Sequence, residues 1–226
     1  MRTIGLVATL LLAACGNAVA QPSFPEPGRP VAAIVSSRWS TEPERDRKRE
    51  AAAVIRAAGV RPGMTVADIG AGEGYYTIRL AKAVGRNGRV LAEDIVPAYR
   101  DGLAQRIAHD RLDTVSVKLG KADDPMLPAG SFDRIFMIHM YHEIAEPYAF
   151  LWHLRPALNA GGRVVVVDAD RPTQAHGTPP ALLACEFAAA AYVQISRRDM
   201  PEASGYLALF EARGPRPEPG AIKACR

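Results

Sequence analysis

The residues with the clearest chemical potential form a short glycine-rich loop between a predicted strand and a predicted helix. Residues 66–69 (VADI) have the apolar pattern of a buried strand, and residues 70–74 (GAGEG) follow directly. Glycines allow a tight turn and a close approach of the backbone to a ligand, and the following helix offers free N–H groups. Ligands of open α/β sheets bind beyond the carboxyl ends of the strands. The loop therefore predicts a ligand site, with a plain turn as the alternative.

The charges of this loop favour a cationic ligand. Its glycine spacing is G-x-G-x-G, whereas the dinucleotide fingerprint is G-x-G-x-x-G. Asp68 precedes the loop and Glu73 lies within it, so two carboxylates would repel a pyrophosphate and attract a positive charge. S-adenosylmethionine has a sulfonium and an ammonium group and no phosphate. The pattern therefore favours S-adenosylmethionine over a nicotinamide cofactor.

Further acidic positions would complete a nucleoside site. Asp94 ends the second predicted strand, where its carboxylate can accept hydrogen bonds from both ribose hydroxyls, and Ile95 can pack against the adenine. Asp123 and Asp124 lie in the loop before the fourth strand, where one of them can accept a hydrogen bond from the adenine amino group. Acids at strand ends and in loops also occur without a ligand, so a solvated turn is the alternative at each position.

The residues after the fourth predicted strand are candidates for the acceptor side. Tyr141, His142 and Glu143 stand where a second substrate would lie. A general base is needed only if the acceptor must lose a proton early, and His142 is the candidate base, with Tyr141 as a second catalytic candidate. A structural histidine near the cofactor is the alternative. Because the chain has no Cys-x-x-Cys motif or Cys/His cluster with metal spacing, we expect no metal site.

Strand and helix patterns alternate through residues 41–212, which we interpret as one α/β domain. The predicted strands are residues 66–69, 89–94, 115–118, 132–140 and 163–168, and the predicted helices are residues 41–58, 75–84, 97–109, 147–158 and 179–191. Continuous apolar runs such as residues 164–167 are typical of parallel strands that are covered on both faces. Two last strands, residues 192–196 and 206–210, have a link too short for a parallel crossover, which predicts an antiparallel hairpin.

The first 20 residues have the pattern of a bacterial export signal. Arg2 precedes an apolar run at residues 4–14, which is too short to span a bilayer as a mature helix. Residues 12–15 (LAAC) resemble a lipobox with lipidation at Cys15, and we favour this interpretation. Cleavage after residues 18–20 (AVA) and an unprocessed N-terminus are the alternatives. We expect an exported protein, either periplasmic or anchored by lipid in the cell envelope.

The flanks and the charge distribution complete the outline. Four prolines within residues 21–40 predict a linker, and three within residues 213–226 predict a flexible tail. Cys185 lies on an alanine-rich helix, where we favour a plain core residue; a disulfide with Cys225 in an oxidising compartment is the alternative. The net charge is +4, and the basic run at residues 45–49 is interrupted by acids, which indicates a solvated helix face and no nucleic-acid partner.

In order and spacing, these motifs resemble the class I S-adenosylmethionine-dependent methyltransferases. Residues 66–74 look like the family's motif I, and residues 90–95 resemble its acidic second-strand end. The segments 127–128 (LP), 131–133 (SFD), 141–143 (YHE) and 158–163 (LNAGGR) resemble the family's later motifs. The resemblance runs from about residue 60 to residue 210. It implies a doubly wound, mostly parallel, seven-stranded Rossmann-like sheet that ends in an antiparallel hairpin.

The resemblance also implies roles for individual residues. Asp68, Gly70, Gly72 and Gly74 would hold the methionine end of the cofactor, Asp94 the ribose, and Asp123 or Asp124 the adenine. Lys121 stands where the family commonly has an acid, so the register at Asp123 is open by one residue. The motif that the family uses for planar amino groups of bases is missing, and this disfavours DNA as the acceptor. A small-molecule or lipid-like acceptor is expected, and a non-catalytic S-adenosylmethionine-binding envelope lipoprotein is the alternative.

Overall fold

The architecture is a seven-stranded sheet in the order β3-β2-β1-β4-β5-β7-β6, seen in a computed structural model that describes residues 23–34 and 40–225. The strands are β1 (Thr65–Ile69), β2 (Arg89–Asp94), β3 (Val115–Leu119), β4 (Phe132–Ile138), β5 (Leu158–Asp168), β6 (Tyr192–Met200) and β7 (Gly205–Ala212). The helices are α1 (Glu42–Arg47), α2 (Glu50–Ala57), α3 (Tyr75–Val84), α4 (Pro97–His109), α5 (Pro147–Leu154) and α6 (Pro180–Ala189).

The sheet confirms the predicted fold class. Strands β1 to β5 pair in parallel, whereas β7 is antiparallel to both of its neighbours, β5 and β6. Only residues 201–204 connect β6 to β7, which is too little chain for a parallel crossover. The chain passes outward from β1 to β3 and then returns to place β4 on the other side of β1. This reversal of strand order marks the expected ligand crevice.

Both faces of the sheet are buried, which explains the continuous apolar runs in the strands. Val164 and Val166 face one core, together with Phe150 of α5 and Leu183 of α6. Val165 faces the opposite core, which includes side chains of α2 and α3. A central parallel strand between two layers of helices needs apolar side chains in both directions, so it shows no alternation in the sequence.

The predicted helix at residues 41–58 is wrong as one continuous element. It divides into α1 and α2, because Arg49 takes a left-handed conformation with φ of 56°. The break places the buried carboxylate of Glu50 where it accepts hydrogen bonds from Arg45 (Nη2–Oε1, 2.7 Å) and from the hydroxyl of Tyr76 (2.9 Å). Arg45 is consequently half-buried, so the basic run is not entirely a solvated face.

Several strand ends also differ from the predicted ones. Strand β5 begins at Leu158 and not at residue 163. Phe132 of β4 pairs with Leu158 and Arg134 pairs with Arg163, so the glycine turn between these two pairs belongs to the strand. Strand β6 extends to Met200, so most of the predicted link in the last hairpin is strand. Strand β4 ends at Ile138, two residues before the predicted end. Boundaries of this kind depend on pairing partners, which the sequence does not display.

Both proline-rich flanks contact the domain. Residues 23–34 contain no helix or strand, yet Arg29 forms a buried ion pair with Glu186 (Nε–Oε1, 2.8 Å). Cys185 and Cys225 form a disulfide and have Cα atoms 6.0 Å apart; Cys185 is exposed and is not a core residue. The disulfide therefore attaches to α6 a tail that the sequence predicts to be flexible.

Within the described residues, no helix has both the length and the apolarity to cross a membrane.

Candidate functional site

A cavity of about 760 Å³ opens at the carboxyl ends of β1, β2 and β4, where the strand order reverses. Its wall includes Asp68, Gly70 and Gly72 from the first loop, Asp94 and Ile95 from the end of β2, and His142 and Glu143 from beyond β4. Residues of α1, among them Arg45, line another part of the same cavity. The volume is in the range of cofactor sites. The structure thus brings both groups of predicted site residues to one crevice.

The first loop has a backbone that only glycine adopts readily. Gly70, Gly72 and Gly74 have φ values of 64°, 52° and 88°. A Cβ atom on Gly70 would lie 3.1 Å from Cγ of Met140, and one on Gly74 would overlap the side chain of Leu103. The loop therefore needs glycine for its conformation and for the space beside it. Gly74 caps the N-terminus of α3 and does not line the cavity, so its contribution is to the turn.

The carboxylate of Asp94 accepts two backbone hydrogen bonds, one of which comes from this loop. Oδ2 accepts from the backbone N–H of Gly72 at 2.9 Å, and Oδ1 accepts from that of Val96 at 2.8 Å. Each carboxylate oxygen has a second lone-pair direction, which is what paired ribose hydroxyls would need. Ile95, beside it, is 37% exposed and offers an apolar surface at the cavity wall.

Three carboxyl groups stand close together at the ends of β1 and β2. Burial raises the pKa of Asp68 to about 6, although Thr77 donates a hydrogen bond to its Oδ2 at 2.6 Å. Burial, followed by the charge of Asp94, raises the pKa of Glu93 to about 8. Oε1 of Glu93 is buried and has no hydrogen-bond partner among the described residues. A cation in this crevice would relieve the repulsion among these groups.

The predicted adenine contacts are not brought to the cavity. Lys121 and Ala122 line it, whereas Asp123 and Asp124 do not. The Asp124 carboxylate accepts a hydrogen bond from the backbone N–H of Met126 at 2.7 Å, which stabilises its own turn. The residues of this loop that line the cavity therefore precede the two acids, which do not line it.

On the acceptor side, the carboxylate of Asp168 holds His142 in place. Nδ1 of His142 lies 3.0 Å from Oδ1 of Asp168, at the end of β5. Asp168 also accepts hydrogen bonds from the Thr178 hydroxyl (2.7 Å) and from the backbone N–H of Ala169 (2.9 Å). His142 is only 1% exposed, and its contact through Nδ1 leaves Nε2 as the nitrogen for a ligand. This arrangement fixes both the tautomer and the orientation of the ring.

Tyr141 does not reach the cavity, so its prediction as a catalytic residue is not supported by its position. Its side chain is fully buried, and its hydroxyl donates a hydrogen bond to Oε2 of Glu186 at 2.8 Å. Burial raises the pKa of Tyr141 well above its ordinary value, and the charge of Glu186 adds to this effect. Tyr141 and His142 are neighbours in sequence that point in different directions, and Tyr141 stabilises the core beside Arg29.

Three residues near the cavity are not among those that the sequence predicts: Asp168, Arg45 and His176. Asp168 could have been found, because it ends an apolar strand at the edge where Asp68 and Asp94 also end theirs. Arg45 was hidden within a run of charges that resembles a solvated helix. His176 lies beside His142, with ring centroids 5.4 Å apart, and no local pattern indicates this approach.

Comparisons with known proteins find similarity to methyltransferases. A family model described as a methyltransferase domain matches residues 66–162. Nocamycin O-methyltransferase of Saccharothrix syringae is 42% identical over 73 residues, 32% of this chain and 26% of that protein. The ubiquinone/menaquinone biosynthesis C-methyltransferase UbiE of Hahella chejuensis is 28% identical over 120 residues, 53% of this chain and 48% of that protein. The chain spans from about a quarter to about half the length of these curated relatives.

A solved structure extends the likeness over most of the fold. The S-adenosylmethionine-dependent methyltransferase of Aquifex aeolicus superposes with a TM-score of 0.66 at 20% identity, covering 76% of this chain and 97% of that chain. Fold and crevice together define a Rossmann-like domain of the nucleoside-binding class. Residues 66–162 match the methyltransferase domain family, and the strand order and the glycine loop agree with the fold of the class I S-adenosylmethionine-dependent methyltransferases.

The residues of the crevice fit the family's cofactor, S-adenosylmethionine. The acidic groups Asp68, Glu93 and Asp94 suit a ligand that has a sulfonium and an ammonium group. The partnerless Oε1 of Glu93 is a buried acceptor that a donor could satisfy. The left-handed glycines leave room for a ligand against the backbone. By their positions, Asp68, Gly70 and Gly72 would hold the methionine end, and Asp94 and Ile95 the nucleoside.

Proposed function

We propose that this protein is an S-adenosylmethionine-dependent methyltransferase that acts on a small-molecule or lipid-like acceptor. The single observation that supports this most strongly is the shared cavity, which joins the acidic glycine loop to His142. A protein that only stored or sensed the cofactor would not need an oriented imidazole at the other end of the same space. The match of residues 66–162 to the methyltransferase domain family supports the same conclusion.

The chemistry required of the protein is mainly positioning. S-adenosylmethionine, when bound, supplies a methyl group that its sulfonium already activates for in-line transfer. The loop around Gly72 and the Asp94 carboxylate would fix the donor, and positioning of this kind accounts for a large part of the rate. His142, oriented by Asp168, would take the proton of an acceptor that must lose one.

The size and the lining of the cavity support a small acceptor. Ile34, Met140, Ile144 and Phe150 contribute apolar surface to the lining of the cavity. Two relatives have names that refer to nocamycin and to ubiquinone/menaquinone biosynthesis, which are small organic molecules. We propose an organic acceptor with an apolar body and a polar reacting atom, since such a molecule fits both the lining and the imidazole.

The test has two steps, binding and turnover. Calorimetry with S-adenosylmethionine and with NAD should give binding of the first only, and tight binding of NAD would overturn the cofactor assignment. Formation of S-adenosylhomocysteine should then be followed with quinols, phenols and lipid-like acceptors. Binding without turnover on any acceptor of the panel would favour the non-catalytic alternative.

We also propose that the protein is exported, and that its mature form is periplasmic or anchored by lipid at Cys15. Residues 1–22, which contain the predicted signal and Cys15, lie outside the described residues. The disulfide between Cys185 and Cys225 supports an oxidising compartment, where such bonds persist. Lipid labelling in cells should be lost in Cys15→Ser, and an unlabelled wild type would exclude the lipobox in favour of ordinary cleavage.

A further inference from the structure

Three side chains at the acceptor end of the cavity form a cluster of metal-ligand type. His142, Glu143 and His176 each place one ligand atom so that the three atoms lie within 4.8 Å of one another. Around a zinc ion with ligands at about 2.0–2.1 Å, such atoms would be about 3.3 Å apart, so modest side-chain rotations would close the site. His142 is buried and the other two are half-buried, which keeps the cluster open on one side.

The hydrogen bonds around His142 are those of a metal-binding histidine whose ring is oriented by a neighbouring carboxylate. Histidines that bind metals usually donate their second ring N–H to a carboxylate, which orients the ring and makes the ligating nitrogen more basic. Asp168 holds Nδ1 of His142 in this way, while Thr178 and the N–H of Ala169 hold Asp168. Because the completely buried Asp168 holds Nδ1, Nε2 is the ring nitrogen of His142 that remains for a ligand.

His176 is held at the cluster by its backbone rather than by side-chain hydrogen bonds. It has a left-handed conformation with φ of 56° and follows a short 3-10 turn, and its N–H donates to the carbonyl of Thr173 at 3.0 Å. Thr173 in turn donates its hydroxyl to the carbonyl of Pro30 at 2.6 Å. Nδ1 of His176 is buried and has no hydrogen-bond partner within the described part of the chain. A buried ring that lacks a partner suggests a ligand.

We propose that His142, Glu143 and His176 bind a divalent transition-metal ion at the acceptor end of the cavity, with Asp168 as the positioning residue. Two imidazoles and one carboxylate suit Zn²⁺ and its first-row neighbours, whereas Mg²⁺ and Ca²⁺ prefer sites made of oxygen ligands. Three protein ligands leave an open position, as in catalytic sites. The sequence expectation of no metal depended on cysteine motifs and local spacing, and a site assembled from residues 33 positions apart escapes such a search.

The metal site would define the acceptor, and this part of the inference rests on the proposed function. His142 and Glu143 line the cavity that also contains Gly70 and Asp94, so the open position faces the space for the acceptor. A Lewis-acidic ion lowers the pKa of a bound oxygen group, so an acceptor with a hydroxyl or enol oxygen would lose its proton to solvent. In the metal-loaded protein, His142 is then a ligand and does not take the proton.

The first test is a zinc titration of the full chain after removal of metals by a chelator. We expect one equivalent of Zn²⁺ to bind with a dissociation constant in the micromolar range or below. His176→Ala should weaken binding about 100-fold or more, because it removes one of three ligands. Glu143→Gln should also weaken it, and Asp168→Asn should cost about 10- to 100-fold through the outer shell.

The matched control is His109→Ala, which removes a histidine that is exposed on α4 and whose Nδ1 lies 2.9 Å from the Asp110 carboxylate. Its zinc affinity should equal that of the wild type. S-adenosylmethionine binding serves as the folding control, since His176 does not line the cavity. A wild type that binds zinc no more tightly than about 100 µM, or an unchanged affinity in His176→Ala, would overturn the metal site.

A second measurement tests the open position directly. The Co²⁺-loaded protein should show visible bands of a low-coordinate site, and acetohydroxamate, an oxygen ligand, should shift them. Bands that do not respond would contradict the part of the inference that concerns the acceptor. Because zinc titration requires no cofactor, loss of S-adenosylmethionine binding with intact zinc binding would count only against the proposed function.

Discussion

The two ends of the cavity are built by different means. At the cofactor end, a contiguous segment, residues 68–73, lines the cavity, and Glu93, Asp94 and Ile95 join it from the end of the next strand. At the acceptor end, His142, Asp168 and His176 come from three separate segments and meet only in the folded chain. The cofactor end is also defined by buried acids with raised pKa values, whereas the acceptor end pairs its acid with an imidazole.

This difference shows how one fold can keep its donor and change its acceptor. A loop whose conformation depends on left-handed glycines tolerates few substitutions, so the cofactor end is constrained by its backbone. The acceptor end depends on side chains beyond β4 and β5 and on the turn near His176, which can vary without disturbing the sheet. The following changes separate the two ends, from the largest expected effect to the smallest.

Gly72→Val should abolish cofactor binding, with a loss of about 100-fold or more, because a β-branched residue is strained at φ of 52° and fills the space beside the backbone. Calorimetry with S-adenosylmethionine measures this, and circular dichroism should show an intact sheet. Gly102→Val is the control, since a Cβ at Gly102 meets nothing within 4 Å. Equal affinities in the two variants would refute the role of the loop.

His142→Asn should lower turnover by about 10²–10⁴-fold, the range for loss of a group that handles the acceptor proton, while cofactor affinity stays within about twofold. Steady-state kinetics and calorimetry on the same sample separate the two effects. His109→Asn, on the surface of α4, should leave both unchanged. If His142→Asn lost cofactor affinity in proportion to turnover, His142 would not belong to a separate acceptor end.

Asp94→Ala should weaken cofactor binding by about 1.5–3 kcal/mol, the scale of hydrogen bonds to a charged group. The loss has two sources. The variant lacks the hydrogen bonds to the ribose, and it lacks the hydrogen bond by which the carboxylate holds the N–H of Gly72 in the loop. Asp101→Ala on exposed α4 is the matched control and should bind like the wild type. An unchanged dissociation constant for Asp94→Ala would remove this residue from the site.

Cofactor affinity should fall about tenfold as the pH is lowered from 8 to 6, measured by calorimetry. Glu93, with a pKa of about 8, and Asp68, with a pKa of about 6, become protonated in this range and no longer attract a cation. A cation prefers the ionised acids, so binding is strongest above both pKa values and is lost below them. Glu93→Gln should flatten the upper part of the profile. A flat wild-type profile would contradict the electrostatic interpretation.

Tyr141→Phe should change turnover by less than about threefold, since the hydroxyl donates to Glu186 in the core and not to the cavity. Its effect should appear in stability instead, as a loss of about 1.5–3 kcal/mol for a hydrogen bond to a charged group. Denaturant unfolding and kinetics together test this. A large loss of turnover without a loss of stability would restore Tyr141 as a catalytic candidate.

The sequence by itself determined the sheet and the donor end of the cavity. Apolar runs such as residues 164–167 indicate strands covered on both faces, and the glycine loop follows its strand directly, so Asp68, Gly70, Gly72 and Asp94 could be named in advance. Information of this kind is local, because a strand end, a tight turn and a helix start are adjacent in the chain.

Only the tertiary structure decided which way Tyr141 and His142 point, where the acids of residues 123–124 lie, and that Asp168 and His176 meet His142. It also decided that Arg49 divides the first helix, that Glu50 is buried, and that a disulfide holds the proline-rich tail. These features depend on contacts between distant segments, and their free energy comes from burial and pairing that no local pattern of residues records.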